Sequence, residues 1–268
     1  MLISQVFGLV TCVVIAILSG EAFASPDAAL WAVAGGASGI FGLTGFYAAL
    51  SRGSMGLVAP LTALIAATIP SIVGIVNGAA PGPVLLAGML VALAAVVVIS
   101  LPESMPAFGF GRPSRPSISG SRLVEIGLVL AAGLGFAGFF LGVAESHRLG
   151  GGIWWPITLV RAAGCALTGV GVAALRLTGR LPVTRVSRAN FTLACAAGAG
   201  DLGGNVFYLA AVAQTTLPTA VVLSSLYPVQ TTLLARFFLH ERLTLVRLSG
   251  VGLAIVGVVL VSLGSTGS

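Results

Sequence analysis

Fifty consecutive residues, Gly53 to Pro102, carry no charged side chain, and neither do 126–144, 202–235 or 248–268. A soluble fold of this length needs charge spread over its surface, and such runs leave it none. With 57% hydrophobic residues, 7% charged residues and a mean hydropathy of +1.10, the chain lies outside the globular range. It reads as an all-α membrane protein, which sets aside soluble enzymes, nucleic-acid binders and disordered tails. The net charge of +6 comes from thirteen Arg and no Lys. Sparse Arg in loops between apolar runs fixes membrane orientation rather than gripping polyanions. Cys12, Cys165 and Cys195 all lie inside apolar stretches with no CxxC pair, so they read as small packing residues rather than metal ligands or disulfides.

A bilayer core about 30 Å thick asks for roughly 20 apolar residues per helix. Cut at its charges, prolines and glycine clusters, the chain gives nine such segments: 2–19, 28–50, 56–77, 82–101, 122–144, 153–177, 188–212, 217–239 and 244–264. Pro102 to Ser121, rich in Pro, Gly and Ser, reads as a linker between two halves, 1–101 and 122–268. The first segment, followed by Ala22-Phe23-Ala24, also resembles a signal peptide, but no Lys or Arg precedes it.

The halves repeat. Moved along by 161 residues, Gly39, Gly42, Phe46, Tyr47 and Ala49 fall on Gly200, Gly203, Phe207, Tyr208 and Ala210. With a one-residue slip, Val84, Leu86, Gly88, Ala92, Val96, Val97, Ser100 and Leu101 fall on Val246, Leu248, Gly250, Ala254, Val258, Val259, Ser262 and Leu263. A register kept across several segments is hard to obtain by composition alone. Segment five has no counterpart at this offset, so the repeating unit is five helices, and the chain is expected to lack the first helix and the start of the second. An odd repeat inserts its second copy upside down. The arginines agree: loops after segments two, four, six and eight carry ten, against Arg148 alone in the others. The positive-inside rule makes those loops cytoplasmic and puts the C-terminus outside.

The run Gly45-Phe46-Tyr47-Ala48-Ala49-Leu50, then Leu57-Val58-Ala59-Pro60-Leu61-Thr62-Ala63-Leu64, has a counterpart in the second half. There Gly204-Asn205-Val206-Phe207-Tyr208 and Leu226-Tyr227-Pro228-Val229 precede His240-Glu241-Arg242-Leu243-Thr244 and a glycine-punctuated last helix. In these features the chain resembles the EamA-type carriers of the drug/metabolite transporter superfamily, over essentially its whole length. Ala79 and Ala66 stand where the second copy has Glu241 and Pro228, so the first copy's motif is degenerate. The resemblance implies a ten-helix inverted-repeat fold, here nine transmembrane helices without the first, and both termini cytoplasmic, which disagrees with the arginine count. It also implies a secondary transporter of the inner (plasma) membrane that moves a small organic metabolite, an amino acid or similar, through a central cavity. Efflux driven by an ion or proton gradient is the expected mode. A multidrug cation exporter and a non-transporting scaffold or remnant are the alternatives.

No phosphate loop, HExxH or paired acidic cluster is present, so neither enzymatic activity nor a cofactor is expected. The expected partners are the lipid bilayer and a small-molecule substrate. A second chain, as in a homodimer, would be needed to fill any groove left by a missing helix. Asp201, Asn205 and Tyr208 stand at i, i+4 and i+7 on one helix face. An ionisable group inside a span faces a cavity or a partner, so Asp201 reads equally as a substrate or proton site and as the structural ion-pair partner of Arg161. Ser224, Ser225, Tyr227 and Gln230 surround Pro228, whose missing N–H frees a carbonyl one turn earlier. Pro60, Thr62 and Tyr47 are the first-half counterparts, with Pro60 and Pro228 as hinges. Glu241 reads as a helix-end residue, Trp154 and Trp155 as an interfacial anchor, and Glu145 and His147 as solvated loop residues.

Overall fold

The computed structural model describes residues 1–52, 55–79, 81–99, 120–179, 187–227, 229, 233 and 244–265. Among these residues the chain is helical and has no strand. The helices among the described residues, numbered in chain order, are α1 (Leu2–Leu18), α2 (Pro26–Leu50), α3 (Met55–Val76), α4 (Pro83–Ile99), α5 (Gly120–Arg148), α6 (Trp154–Leu177), α7 (Arg188–Gln214), α8 (Leu217–Ser224) and α9 (Leu245–Ser265). From α1 to α7 and at α9 the expected segments and these helices coincide closely, because charge and glycine end apolar helices where they meet water. Gly20, Gly78 and Gly179, each with positive φ, follow α1, α3 and α6 as left-handed terminators. The interhalf linker lies outside the described residues except for Gly120 and Ser121, which open α5. The second half of the expected span 217–239 also lies mostly outside them.

Four stretches, Pro26–Leu50, Leu123–Arg148, Trp154–Leu177 and Leu245–Gly264, are long and apolar enough to cross a membrane by length and composition. Their outward faces are apolar as well: Leu30, Phe41, Leu130, Leu134, Val170, Ile255 and Leu263 are all exposed. A helix that is hydrophobic all round is at home in lipid, not in water.

Glu145 and His147 correct the expectation of a loop, since α5 continues through both to Arg148. Glu145 pairs with Arg148 one turn on, and the cationic Arg148 suits the negative end of the helix dipole.

The chain forms two compact units, each drawing on both halves of the sequence. The first holds residues 1–41 and 138–214. In it α1 packs on α6 and on α7. The backbones of α2 and α5 touch at Gly35 and Gly142, where a Cβ on Gly142 would lie 2.7 Å from the Gly35 Cα. A Cβ on Gly36 would lie 2.6 Å from the Val160 carbonyl oxygen of α6. Without water to drive helices together, small residues that let backbones approach supply the packing.

The second unit holds residues 42–137 and 215–268. Here α3 packs on α8, and α4 lies along α9. Gly88 meets Leu260 and Val261, Gly257 meets Ala92, Gly264 meets Leu85, and Gly250 meets Ile99. Each step up α4 is a step down α9, so the two are antiparallel, and Ala92, Ala95, Val96 and Ala254 fill the seam. Gly88 and Gly250, matched by the repeat, each lie against the other copy's helix. The glycines of α2 and α7 that the repeat aligns differ in their surroundings. Gly35, Gly36, Gly39 and Gly42 all abut neighbours, as does Gly198, but a Cβ on Gly200, Gly203 or Gly204 would meet nothing within 4 Å among the described residues.

Candidate functional site

Each unit carries polar side chains inside its helices. In the first unit the central feature is Arg161, carried on α6 and only 2% exposed. Three helices meet around it. Gln5 and Gly8, at i and i+3 on the buried stripe of α1, face it, and a Cβ on Gly8 would lie 3.3 Å from its Nε. Its Nη1 donates to Gln5 Oε1 at 3.1 Å and to Asp201 Oδ2 of α7. Asp201 thus forms the ion pair with Arg161 that the sequence suggested. The two partners differ in setting, because the Asp201 side chain is 55% exposed. Nε and Nη2 of Arg161 are buried and have no hydrogen-bond partner among the described residues.

Asn205 lies one turn from Asp201. With Phe139 and Val143 of α5 and Ile157 and Val160 of α6 it lines an apolar recess too narrow to admit a water molecule. Tyr208 is 3% exposed and spends its hydroxyl on α5, donating to the Phe140 carbonyl at 2.8 Å while its ring packs on Phe140 at 4.8 Å. Asp201 therefore faces Arg161 on α6, while Asn205 lines the recess between α5 and α6 and Tyr208 faces α5.

In the second unit Thr62 of α3 is fully buried and its hydroxyl has no partner among the described residues. One turn away, the Ala59 carbonyl accepts a long contact of 3.5 Å from the Tyr227 hydroxyl. Ser225 is buried and donates to the Val222 carbonyl, and Ser224 closes α8. Past Ser224 the amides of Leu226 and Val229 reach back three residues, to Leu223 and Leu226, a tightened backbone. Tyr47 is 57% exposed. Pro60 lies within α3, and Pro228, Gln230, His240, Glu241 and Arg242 lie outside the described residues. Cys12, Cys165 and Cys195 are free thiols, and no group of metal-ligating side chains occurs among the described residues.

Two contributors were not picked out from sequence. Gln5 had no pattern to mark it, being one amide in an apolar run. Glu21 is in sequence one acidic residue between two apolar runs, yet its carboxylate accepts from the backbone N–H of Trp154 at 3.1 Å and of Trp155 at 3.3 Å, capping α6 from a distant turn. Trp155 Nε1 returns a bond to the Glu21 carbonyl at 2.8 Å, and Phe23 packs edge-on against its indole. This carboxylate at a helix N-terminus satisfies orphan donors and opposes the dipole. Its position was legible only as an acidic residue 133 residues before the helix it caps.

A profile of the EamA-like transporter family matches residues 123–263, more than half of the chain. No curated protein matches. A solved structure described as a crystal structure of a protein superposes with a TM-score of 0.75 at 18% identity, covering 98% of this chain and 87% of its own. That likeness concerns fold alone. With long apolar helices seamed by small residues and this match, the chain belongs to the EamA-like transporter family, within the drug/metabolite transporter superfamily, and is a multi-pass membrane protein.

Proposed function

We propose that the chain is a secondary transporter of the inner (plasma) membrane that exports a small organic metabolite, an amino acid or similar, driven by an ion or proton gradient. The observation that carries this reading is the Arg161–Asp201 pair. A guanidinium 2% exposed, between helices of a membrane-transport family, is costly to bury. Its carboxylate partner is half open, so the pair can exchange partners with a charged solute or a proton. Nine spans in two inverted copies are part of this reading. They are supported by the way α1 packs on α6, α3 on α8 and α4 on α9, each helix against its own counterpart in the repeat.

A multidrug cation exporter is the weaker reading. It would want a buried acid beside an aromatic, and Tyr208 turns to Phe140 while Asp201 turns to Arg161. Flux of radiolabelled amino acids from proteoliposomes, with and without a pH gradient, tests the proposal in wild type and Asp201→Asn. Gradient-driven flux that the variant loses is the expected result. Wild-type vesicles that carry none of the metabolites under either condition would sink the transport reading, and unchanged coupling in the variant would remove Asp201 as the proton carrier.

A further inference from the structure

We infer that Arg161 is a carboxylate-binding residue, and that the transported solute carries a carboxylate which engages the Nε–Nη2 edge of its guanidinium. The inference rests on the transport reading and narrows it to one substrate class.

A guanidinium offers five N–H donors in a rigid plane. Its side-on edge, Nε with Nη2, presents two parallel donors that match the two oxygens of a carboxylate. A side chain whose whole task is to hold α6 to α7 gains most by turning that edge to its acid. Arg161 does the opposite: Asp201 and the neutral Gln5 amide share the single Nη1. The side-on edge is left buried and without a partner among the described residues. Buried donors left unmade are expensive, and more so on a charged group. Two on one edge point to a ligand that completes them.

The surroundings define that ligand further. Asp201 offsets the charge of Arg161, so the site favours a monoanion or a zwitterion over a doubly charged phosphate. Asp201 is also half exposed, which leaves it able to receive an ammonium group while the carboxylate sits on Arg161. Ile157 lies one turn before Arg161 and Asn205 one turn after Asp201, and both line the apolar recess. The recess as it stands admits no water molecule, so the body of a small amphipathic acid enters it only as the helices that line it part. Gly8 is the element that must give way. It brings α1 to the guanidinium with no side chain between them, so separation of α1 from α6 opens the edge and their closure covers it.

The test uses the purified full chain in detergent, followed by thermal unfolding. The probes are glycine, L-leucine, L-phenylalanine and L-glutamine, each beside its carboxamide, which keeps the amine and lacks the carboxylate. Sodium chloride and phosphate serve as anion controls. At least one amino acid is expected to raise the midpoint by about 2 °C or more at saturating concentration, with its amide inert. Arg161→Lys keeps the charge and loses the fork, and is expected to weaken that amino acid at least tenfold. Should this variant fail to fold, competition of the acid and its amide against wild-type flux gives the same discrimination. Equal shifts from acid and amide, the same shift from chloride, undiminished binding by Arg161→Lys, or no shift from any acid would each overturn the inference. Flux of amides alone would leave the transport reading standing while this one falls. Arg161-dependent binding without any flux would do the reverse.

Discussion

Adding one methyl group to the α4–α9 seam measures how closely these helices are held. A Cβ on Gly88 would lie 2.6 Å from the Val261 nitrogen and 2.9 Å from the Leu260 carbonyl carbon. Backbone atoms cannot rotate away, so Gly88→Ala must push the helices apart by roughly 0.5–1 Å, a gap that forfeits a quarter to a half of each contact's attraction. Ala92, Ala95, Val96, Ile99, Val251, Ala254 and Val261 all sit in the cluster this loosens. Overpacking of this kind costs about 1–3 kcal/mol, offset by about 1 kcal/mol from the better helix propensity of Ala. A net loss of up to about 2 kcal/mol is expected.

Gly250→Ala meets Ile99 at 2.5 Å to Cγ1 and 2.9 Å to the backbone nitrogen, and is expected to cost about the same. The double variant should cost less than the two losses added, because one separation of the helices relieves both. Gly200→Ala and Gly203→Ala are the controls. A Cβ on either would meet nothing within 4 Å among the described residues, so they should be neutral or stabilise by up to about 1 kcal/mol. Unfolding by titration with a denaturing detergent from a mild micelle reads all five proteins. Equal losses at Gly88 and Gly200, or strict additivity of Gly88→Ala with Gly250→Ala, would refute the assignment of the seam.

The Glu21 cap predicts that Glu21→Ala lowers stability by about 1–2 kcal/mol, with Glu21→Gln losing roughly half of that by keeping an acceptor but not the charge; thermal unfolding checks both. Gly152 has φ +68°, and a Cβ there would strike the Glu21 carboxylate. Gly152→Ala is therefore expected to cost about 1–3 kcal/mol from strain and lost capping, and to cost less in a Glu21→Ala background, measured as a double-mutant cycle. Thr62→Val replaces a buried hydroxyl that has no partner among the described residues with a methyl group. It should leave the unfolding midpoint equal or higher; a loss above about 1 kcal/mol would show a hydrogen bond at that hydroxyl.

Helix positions were legible because the bilayer imposes a length and charge marks the ends. Expected and observed starts agree within two residues from α1 to α7, and Arg161 with Asp201 could be paired in advance as ionisable groups inside apolar runs. What sequence could not convey was which face meets which neighbour. The faces of α2 and α7 share Gly, Phe and Tyr in register, yet Gly39 abuts Phe139 while Gly200 lies open, and Tyr47 is exposed while Tyr208 is buried on α5. Periodicity fixes a face but is silent on what packs there. The Glu21 cap failed for the same reason, since its partner is supplied by tertiary structure.

The repeat and the charge distribution, taken together, say why the pair occurs once. At the same offset, Ile40 stands where Asp201 does and Thr44 where Asn205 does, so the first copy keeps the helix and drops the charge. Ile40 reaches Gly164 of α6, one turn beyond Arg161, so the two copies bring an apolar and an ionic contact to the same helix. A second buried guanidinium would add several kcal/mol of desolvation unless a second acid offset it. Duplication supplies helices that pack on their own counterparts, and departure from it, at Asp201 and Asn205, is where a polar site can be placed in one copy while the other remains free to serve packing.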